Sequence, residues 1–422
     1  MSRNKVFNPE REPLRNRPDV QLNKHKIHGP ISFLNPTQAH YDHVPSAKSS
    51  TAPETSAEDA TEQPTDTSNL GYKWTSRDNR KGRHALVVKP SEAADAKYAA
   101  PPPTTSLKEI TRTIGRMLCY YPVWDVSYLV AVVFTWGSVI WVINAFFAFL
   151  PFTNPSTEFP GETLYGGGIT AFIGATVFEI GSVLLMLEAV NENRAGCFGW
   201  ALERAYEGCV EHGVGRVKPD GCTHHHGNRG NLVGKPPQGE GVAVGEKNPT
   251  VSTDGMSPGD KSWVWWPSWH ELRTHSFHDL GFIACSAQMF GATVFWISGF
   301  TALPGIYDHL SPVSVLNGVY WVPQVVGGTG FVVSGTLFMI ETQKHWWQPA
   351  FGVLGWHIGL WNLIGGIGFT LCPIFGFGTA YWREYQASCS TFWGSWAFLI
   401  GSVIQLYESL VKHPVEMSRE QS

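Results

Sequence analysis

From Val126 onward the chain alternates between long apolar runs and short polar ones, whereas its first hundred residues are polar throughout. Six apolar runs lie near 126–150, 166–190, 280–303, 319–341, 353–372 and 389–410. Each has about 20–25 residues, enough at about 1.5 Å per residue to cross roughly 30 Å of hydrocarbon. Each therefore predicts a membrane helix, although Pro323 and several glycines interrupt the run that begins at Val319. Just ahead of the first run, "SLKE" is a capping box on Ser106 and Glu109. Leu107, Ile110, Ile114 and Met117 follow at helical spacing opposite Lys108, Arg112 and Arg116, which predicts a short helix on the membrane surface. Trp and Tyr crowd the edges of the runs, as interfacial aromatics do.

Basic residues set the expected orientation. Lys108, Arg112, Arg116, Arg194, Lys344 and Lys412 flank one side of the runs, and the opposite loops hold only Arg383. The expectation is an all-α membrane protein of six transmembrane helices in three tandem helical hairpins, with N- and C-termini cytosolic. Residues 1–105 read as a disordered cytosolic tail, because "PSAKSSTAPETSAEDATEQPTDTS" has little to bury. Within it, "RDNRKGR" (77–83) could touch anionic head groups, though a solvated tail is the simpler reading. Next come an interfacial helix with the first hairpin (106–190) and a cytosolic His- and Gly-containing loop (191–279). The second hairpin (280–343), the third (344–410) and a short cytosolic tail (411–422) complete the chain. The polar start predicts no cleavable signal peptide.

A fifteen-residue word recurs in the second helix of each pair: "GATVFEIGSVLLMLE" (174–188), "GGTGFVVSGTLFMIE" (327–341) and "GSWAFLIGSVIQLYE" (394–408). All three begin with Gly, carry Phe fifth and end in Glu. Gly174, Gly181 and Glu188 are seven apart and share a helix face, as do Gly394, Gly401 and Glu408. With Gly327 and Glu341 these are read as packing positions and helix-end acids. At the helix ends Glu188, Glu341 and Glu408 can reach water or basic residues. The first helices match through "GFTALP" (299–304) and "GFTLCP" (368–373), with "AFFAFLP" (145–151) a looser third, each expected to be stopped by its Pro.

Glu179 stands apart, because its counterparts in the other words are Val332 and Leu399. About a dozen apolar side chains at roughly −0.4 kcal/mol each outweigh roughly +3 kcal/mol for one mid-membrane acid, so the helix inserts. The acid then needs a partner, a proton or water. Asn144, Gln288 and His357 are candidate neighbours, His357 taking the place of Gln288 when the two "GFT" words are aligned. Together they outline an intramembrane polar track, or equally a satisfied interhelical hydrogen-bond cluster.

Composition narrows the chemistry. Charged residues are 16% of the chain, below the roughly 25% of soluble domains, and the net charge of −4 gives no support for a nucleic-acid partner. Cys222, His224, His225 and His226 in "GCTHHHG" could hold zinc or copper, but their spacing builds no closed four-ligand site. No other cofactor is expected. "HELRTH" (270–275) places its histidines five apart, which is not the zinc-protease spacing. No catalytic motif is present, so the reading leans away from an enzyme. Cys372 and Cys389 flank the last outer loop and allow a disulfide in an oxidising compartment.

"YPVWDVSYLVA", "GGGITAFIGATVFEIGSVLLMLEAVNENR", "WVWWPSWHELRTH", "NGVYWVPQVVGGTGF" and the run from "GWHIGLWNLIGG" to "IQLYESL" resemble a group of fungal multi-pass integral membrane proteins with no assigned activity. The last hairpin is loosely similar to the two-helix YrhK type of membrane domain. These resemblances imply a protein integral to the plasma membrane or an endomembrane, and supply no catalytic residues. Three functions follow from the residues: a small-solute or proton pathway past Glu179, a non-catalytic scaffold recruiting protein partners through its tail and loop, and a metal-responsive regulator using the His224–His226 loop. The lipid bilayer is the one partner common to all three.

Overall fold

The computed structural model of the chain describes residues 2–8, 12–14, 20–43, 70–83, 85–88, 103–192, 197–211, 263–412 and 414–417. Six helical stretches are long and apolar enough to cross a bilayer: Val126–Thr153, Glu162–Val190, Leu280–Thr301, Val313–Glu341, Leu354–Gly376 and Tyr381–Ser409. They fit an integral membrane protein. In chain order the helices are α1 (Ser76–Arg80), α2 (Leu107–Cys119), α3 (Val126–Thr153), α4 (Gly168–Val190), α5 (Phe198–Glu211), α6 (Trp269–Thr274), α7 (Leu280–Thr301), α8 (Val313–Leu316), α9 (Val322–Glu341), α10 (Leu354–Gly376) and α11 (Tyr381–Ser409). π-helical turns at Glu162–Gly167 and Asn317–Trp321 extend α4 and α9 backwards. As its capping box predicts, α2 begins with Ser106 Oγ accepting from the Glu109 N–H at 3.4 Å.

The spanning helices close into a ring. α3 packs on α4, α4 on α7, α7 on α9, α9 on α10, α10 on α11, and α11 back on α3. Glycines bring the backbones together where lipid supplies no hydrophobic drive. A Cβ on Gly330 would lie 2.7 Å from the Gly291 Cα, one on Gly335 2.6 Å from the Leu363 N, and one on Gly366 2.8 Å from the Val332 N. Gly330→Ala should therefore lower the melting temperature in detergent, at a cost of about 1–3 kcal/mol from overpacking. Gly115→Ala on α2, where nothing lies within 4 Å, should leave it unchanged or raise it slightly. Equal effects from the two substitutions would refute the close contact.

Each spanning helix sends one aromatic ring to the centre: Trp141, Phe178, Phe295, Phe331, Phe369 and Phe398. Trp141 meets Phe369 edge-on at 4.9 Å, and Phe178 meets Phe398 at 5.5 Å. Phe178, Phe331 and Phe398 are the fifth residues of the three repeated words. Trp141 faces Gly174, Phe295 faces Gly327 and Phe369 faces Gly394, the first residues of those words. This packing equates Phe295 with Phe369, so Gln288 corresponds to Asn362 rather than to His357. The "GFT" words are out of step in the fold. Pro151 and Pro373 do not stop their helices either, since α3 runs to Thr153 and α10 to Gly376. A proline in a final turn leaves few backbone acceptors to lose, and neighbouring helices absorb the bend.

The structure is not all-α. At one end of the bundle lies a five-stranded sheet in the order β1 (Val20–Leu22), β2 (Gln38–His43), β3 (Leu70–Thr75), β4 (Ala85–Val88), β5 (Val415–Met417). The pairings are antiparallel except β4–β5, which is parallel. Parts of the 1–105 segment read as structureless, and of the 411–422 tail, are thus ordered strands. The alternation Leu70, Tyr72, Trp74 was there to be read, but these strands are too short to stand alone. They gain a core from Ile27, Ala39, Tyr41 and Trp74, a final strand from the far end of the chain, and a support in the helix ends. Gln38 Nε2 donates to the Thr342 carbonyl at 3.0 Å, and the Asn35 N–H to the His278 carbonyl at 2.8 Å.

Candidate functional site at the sheet end of the bundle

Between β3 and β4 the chain makes one short excursion, α1, and it enters the end of the helix ring. Thr75 caps α1 by accepting from the Asp78 N–H at 3.0 Å. Gly82, at φ 61°, then turns the chain so that the Arg83 N–H reaches the Asp78 carbonyl at 2.9 Å. Only glycine takes that backbone conformation at little cost. The result packs four cations, Arg77, Arg80, Lys81 and Arg83, into a buried cluster.

Their partners are the final acids of the repeated words. Glu188, Glu341 and Glu408 are each 2% exposed. Arg77 grips Glu408 with two bonds, Nε to Oε1 at 3.2 Å and Nη2 to Oε2 at 2.7 Å. Lys81 Nζ adds a third at 3.0 Å. Arg80 grips Glu341 in the same two-pronged way, and Ser76 Oγ donates to that carboxylate at 2.6 Å. Arg83 bonds Asp78 and donates to the Glu408 backbone carbonyl at 2.7 Å. Glu188 differs, because its Oε2 has no hydrogen-bond partner among the described residues. Nearby, Lys412 pairs with Asp125, the cap of α3.

Two further acids border the cluster: Glu192, just past α4, and Asp279, the cap of α7. Among the described residues, six acids, Asp78, Glu188, Glu192, Asp279, Glu341 and Glu408, thus gather around four buried cations, Arg77, Arg80, Lys81 and Arg83. Where a carboxylate is close, a cation stays charged despite burial: Glu408 holds Arg77 above its ordinary value, and Glu341 does so for Arg80. Lys81 falls below its usual value, because burial outweighs the attraction of Glu408. Burial and the charge of Asp279 push the Glu192 carboxyl up to about 8, and burial also raises Asp279.

A carboxyl whose folded pKa is raised holds a proton that the unfolded chain releases, so stability falls as pH climbs from about 4.5 towards 8. Glu192→Gln should remove that dependence. It should melt higher than the parent near pH 8 and converge with it near pH 4.5, read from thermal scans across the range. A constant offset at every pH would reject the protonated form of Glu192.

The other expected site residues are dispersed. Glu179 lies between α4 and α7, partly buried, accepting at Oε1 from Thr293 Oγ1 at 3.0 Å, while its Oε2 is buried with no hydrogen-bond partner among the described residues. Asn144 Nδ2 donates to the Gly167 carbonyl at 2.7 Å and to Thr170 Oγ1 at 3.0 Å, tying α3 to the start of α4. His357, in the first turn of α10, bonds the Phe351 carbonyl through Nε2 at 2.8 Å. Gln288 is partly buried on α7. The four do not gather, since Asn144 and His357 each bond elsewhere and Glu179 bonds Thr293. Cys372 and Cys389 are free thiols. Both lie inside helices, because α10 and α11 extend well past the expected run ends. Gly181 is packed against the Phe134 ring, and Gly401 against Trp361. Cys222, His224, His225 and His226 lie outside the described residues. Among the described ones, no three His, Cys, Asp or Glu side chains gather to hold a metal.

The pairing itself was missed in the sequence, although both halves were in view: a basic patch at 77–83 and three helix-end acids. Glu192 and Asp279 gave no signal beyond their charge. Comparison with protein-family models, curated proteins and solved structures finds no match to this chain.

Proposed function

We propose that the chain is a non-catalytic membrane scaffold. In this reading three tandem hairpins, with both termini cytosolic, form a sealed anchor that holds the sheet rigidly at the bilayer surface. The tail and the loop 191–279 then recruit protein partners. The observation that carries it is the centre of the ring, where the space enclosed by Trp141, Phe178, Phe295, Phe331 and Phe369 has no room for a water molecule. A route for ions or solutes needs polar, hydrated lining, and here six rings meet instead.

The rival reading, a pathway past Glu179, draws on one polar stripe. Thr293 bonds Glu179, and on the next turn Trp296 Nε1 donates to Thr176 Oγ1 at 2.9 Å. One experiment separates the two. Purified protein in liposomes should pass protons and small solutes no faster than empty vesicles. Glu179→Cys, with the native cysteines replaced, should resist water-soluble thiol reagents from both sides. A flux abolished by Glu179→Gln would replace the scaffold with the pathway.

A further inference from the structure

Beside the ion-pair cluster lies a cavity of about 350 Å³, bounded by the N-terminal arm and by residues following α4 and preceding α7. That is within the size range of small-molecule sites, roughly 300–1,000 Å³. Its wall includes Glu192, Asp279, Trp74, Phe7, Arg3 and His275.

The two carboxylates have few partners of their own. Asn79 Nδ2 donates to Glu192 Oε1, and the Phe282 N–H donates to Asp279 Oδ1 at 2.7 Å. Arg80, which grips Glu341, also makes a longer ion pair with Asp279 at 3.9 Å. Arg3, also in the wall, donates to Asn35 Oδ1 at 2.8 Å and to the Thr274 carbonyl at 3.0 Å. On the apolar side, Phe7 and Trp74 meet edge-on at 5.0 Å. Trp74 is 4% exposed, and its indole Nε1 has no hydrogen-bond partner among the described residues. The wall thus pairs two carboxyl groups, one of them holding a proton near neutral pH that an arriving cation would displace, with aromatic surface and donors. That set suits an organic cation better than a bare metal ion, for which no three ligands gather among the described residues.

We propose that this cavity binds a small primary ammonium ion bearing an oxygen acceptor, an ethanolamine-type group. Its N–H groups reach Glu192 and Asp279, its carbons lie against Trp74 and Phe7, and its oxygen faces Arg3 and the Trp74 indole. A quaternary amine has no N–H to give the carboxylates. The cation also supplies charge that the acid-rich cluster lacks. The source is either a lipid head group, since the cavity adjoins the ends of two spanning helices, or a free solute. The inference does not depend on the scaffold reading.

The full chain in detergent is titrated with phosphoethanolamine and with phosphocholine by calorimetry. In parallel, lipid retention is measured by native mass spectrometry after nanodiscs of mixed phosphatidylethanolamine and phosphatidylcholine. Saturable binding of phosphoethanolamine over phosphocholine, weakened about tenfold or more by Glu192→Gln and Asp279→Asn, supports the site with a free solute. Selective retention of phosphatidylethanolamine, lost in the same variants without binding of the free probe, supports the site with a lipid source. Gln keeps the Asn79 bond and Asn remains a good helix cap, so both variants should fold. Phe7→Ala, on the opposite wall, is the second route and should also weaken binding. Equal handling of the two amines, or binding unchanged in all three variants, overturns the proposal.

Discussion

Glu408→Gln should loosen the sheet from the membrane bundle. Three cations converge on this residue: Arg77 and Lys81 on the carboxylate, and Arg83 on its backbone with Nη2 3.6 Å from Oε1. Removing one side of a buried pair leaves the other side charged and dry, which costs about 3–5 kcal/mol. A glutamine keeps the shape and some hydrogen bonding but none of the charge. The consequence should be local. The ring keeps its aromatic centre, while α1 leaves its seat and exposes Arg77, Arg80, Lys81 and Arg83. Limited trypsin digestion should therefore cut within 77–83 in the variant and spare the parent, with the spanning helices intact by circular dichroism. A parent cut equally fast at those sites would show that the cluster does not hold the segment.

The same argument predicts the rescue. Arg80→Met with Glu341→Leu removes both members of the second pair and leaves apolar side chains of similar bulk. Buried ion pairs replaced in this way are often neutral or better in stability, whereas either half alone is not. The double variant should resist trypsin nearly as well as the parent, and Glu341→Leu alone should not. That outcome would make the cluster a device of fit and position, fixing where the chain enters the ring more than adding net stability.

The six spans could be read from the sequence because length and apolarity alone decide whether a helix crosses a bilayer. The words ending in Glu188, Glu341 and Glu408 could be read because Gly, Phe and Glu stand at fixed places in each, and their phenylalanines share one cluster. The sheet could not, because β4 pairs with β5 across more than three hundred residues, and no local pattern in 411–422 announces a strand. The docking of 77–83 failed for a related reason. Charge complementarity names which partners suit one another but not whether they meet, and for an isolated basic run a solvated tail is the better guess. The apolar counterparts Val332 and Leu399 mark Glu179 as unusual but do not say which helix it meets, and it meets Thr293 on α7. Nor does composition say where such polar residues lie along their helices, and Asn144 sits beside Gly167 while His357 sits beside Phe351.

Phe331→Ala should be the most damaging single change at the aromatic centre of the bundle. Phe331 is 2% exposed and packs against Phe178, Phe295 and Phe398, with ring centroids 6.4, 5.8 and 5.9 Å away. Large-to-small changes of this kind cost about 3–5 kcal/mol in water-soluble cores. In a bilayer the unfolded helices still lie in hydrocarbon, so most of the transfer gain is absent from both states and the loss is one of contact and shape. The lower end, about 3 kcal/mol, is the expected cost. Phe290→Ala supplies the control, since that ring is 58% exposed on α7 and lies outside the aromatic centre. Steric trapping or thermal unfolding in lipid should show a large loss for Phe331 and little for Phe290. The new void is apolar on every side, so it should stay dry and take up xenon rather than water. If the ring is a sealed anchor, Phe331→Ala liposomes remain as tight to protons as those of the parent. If one missing ring opens a leak, the aromatic centre is a gate, and the scaffold reading gives way to a conducting one.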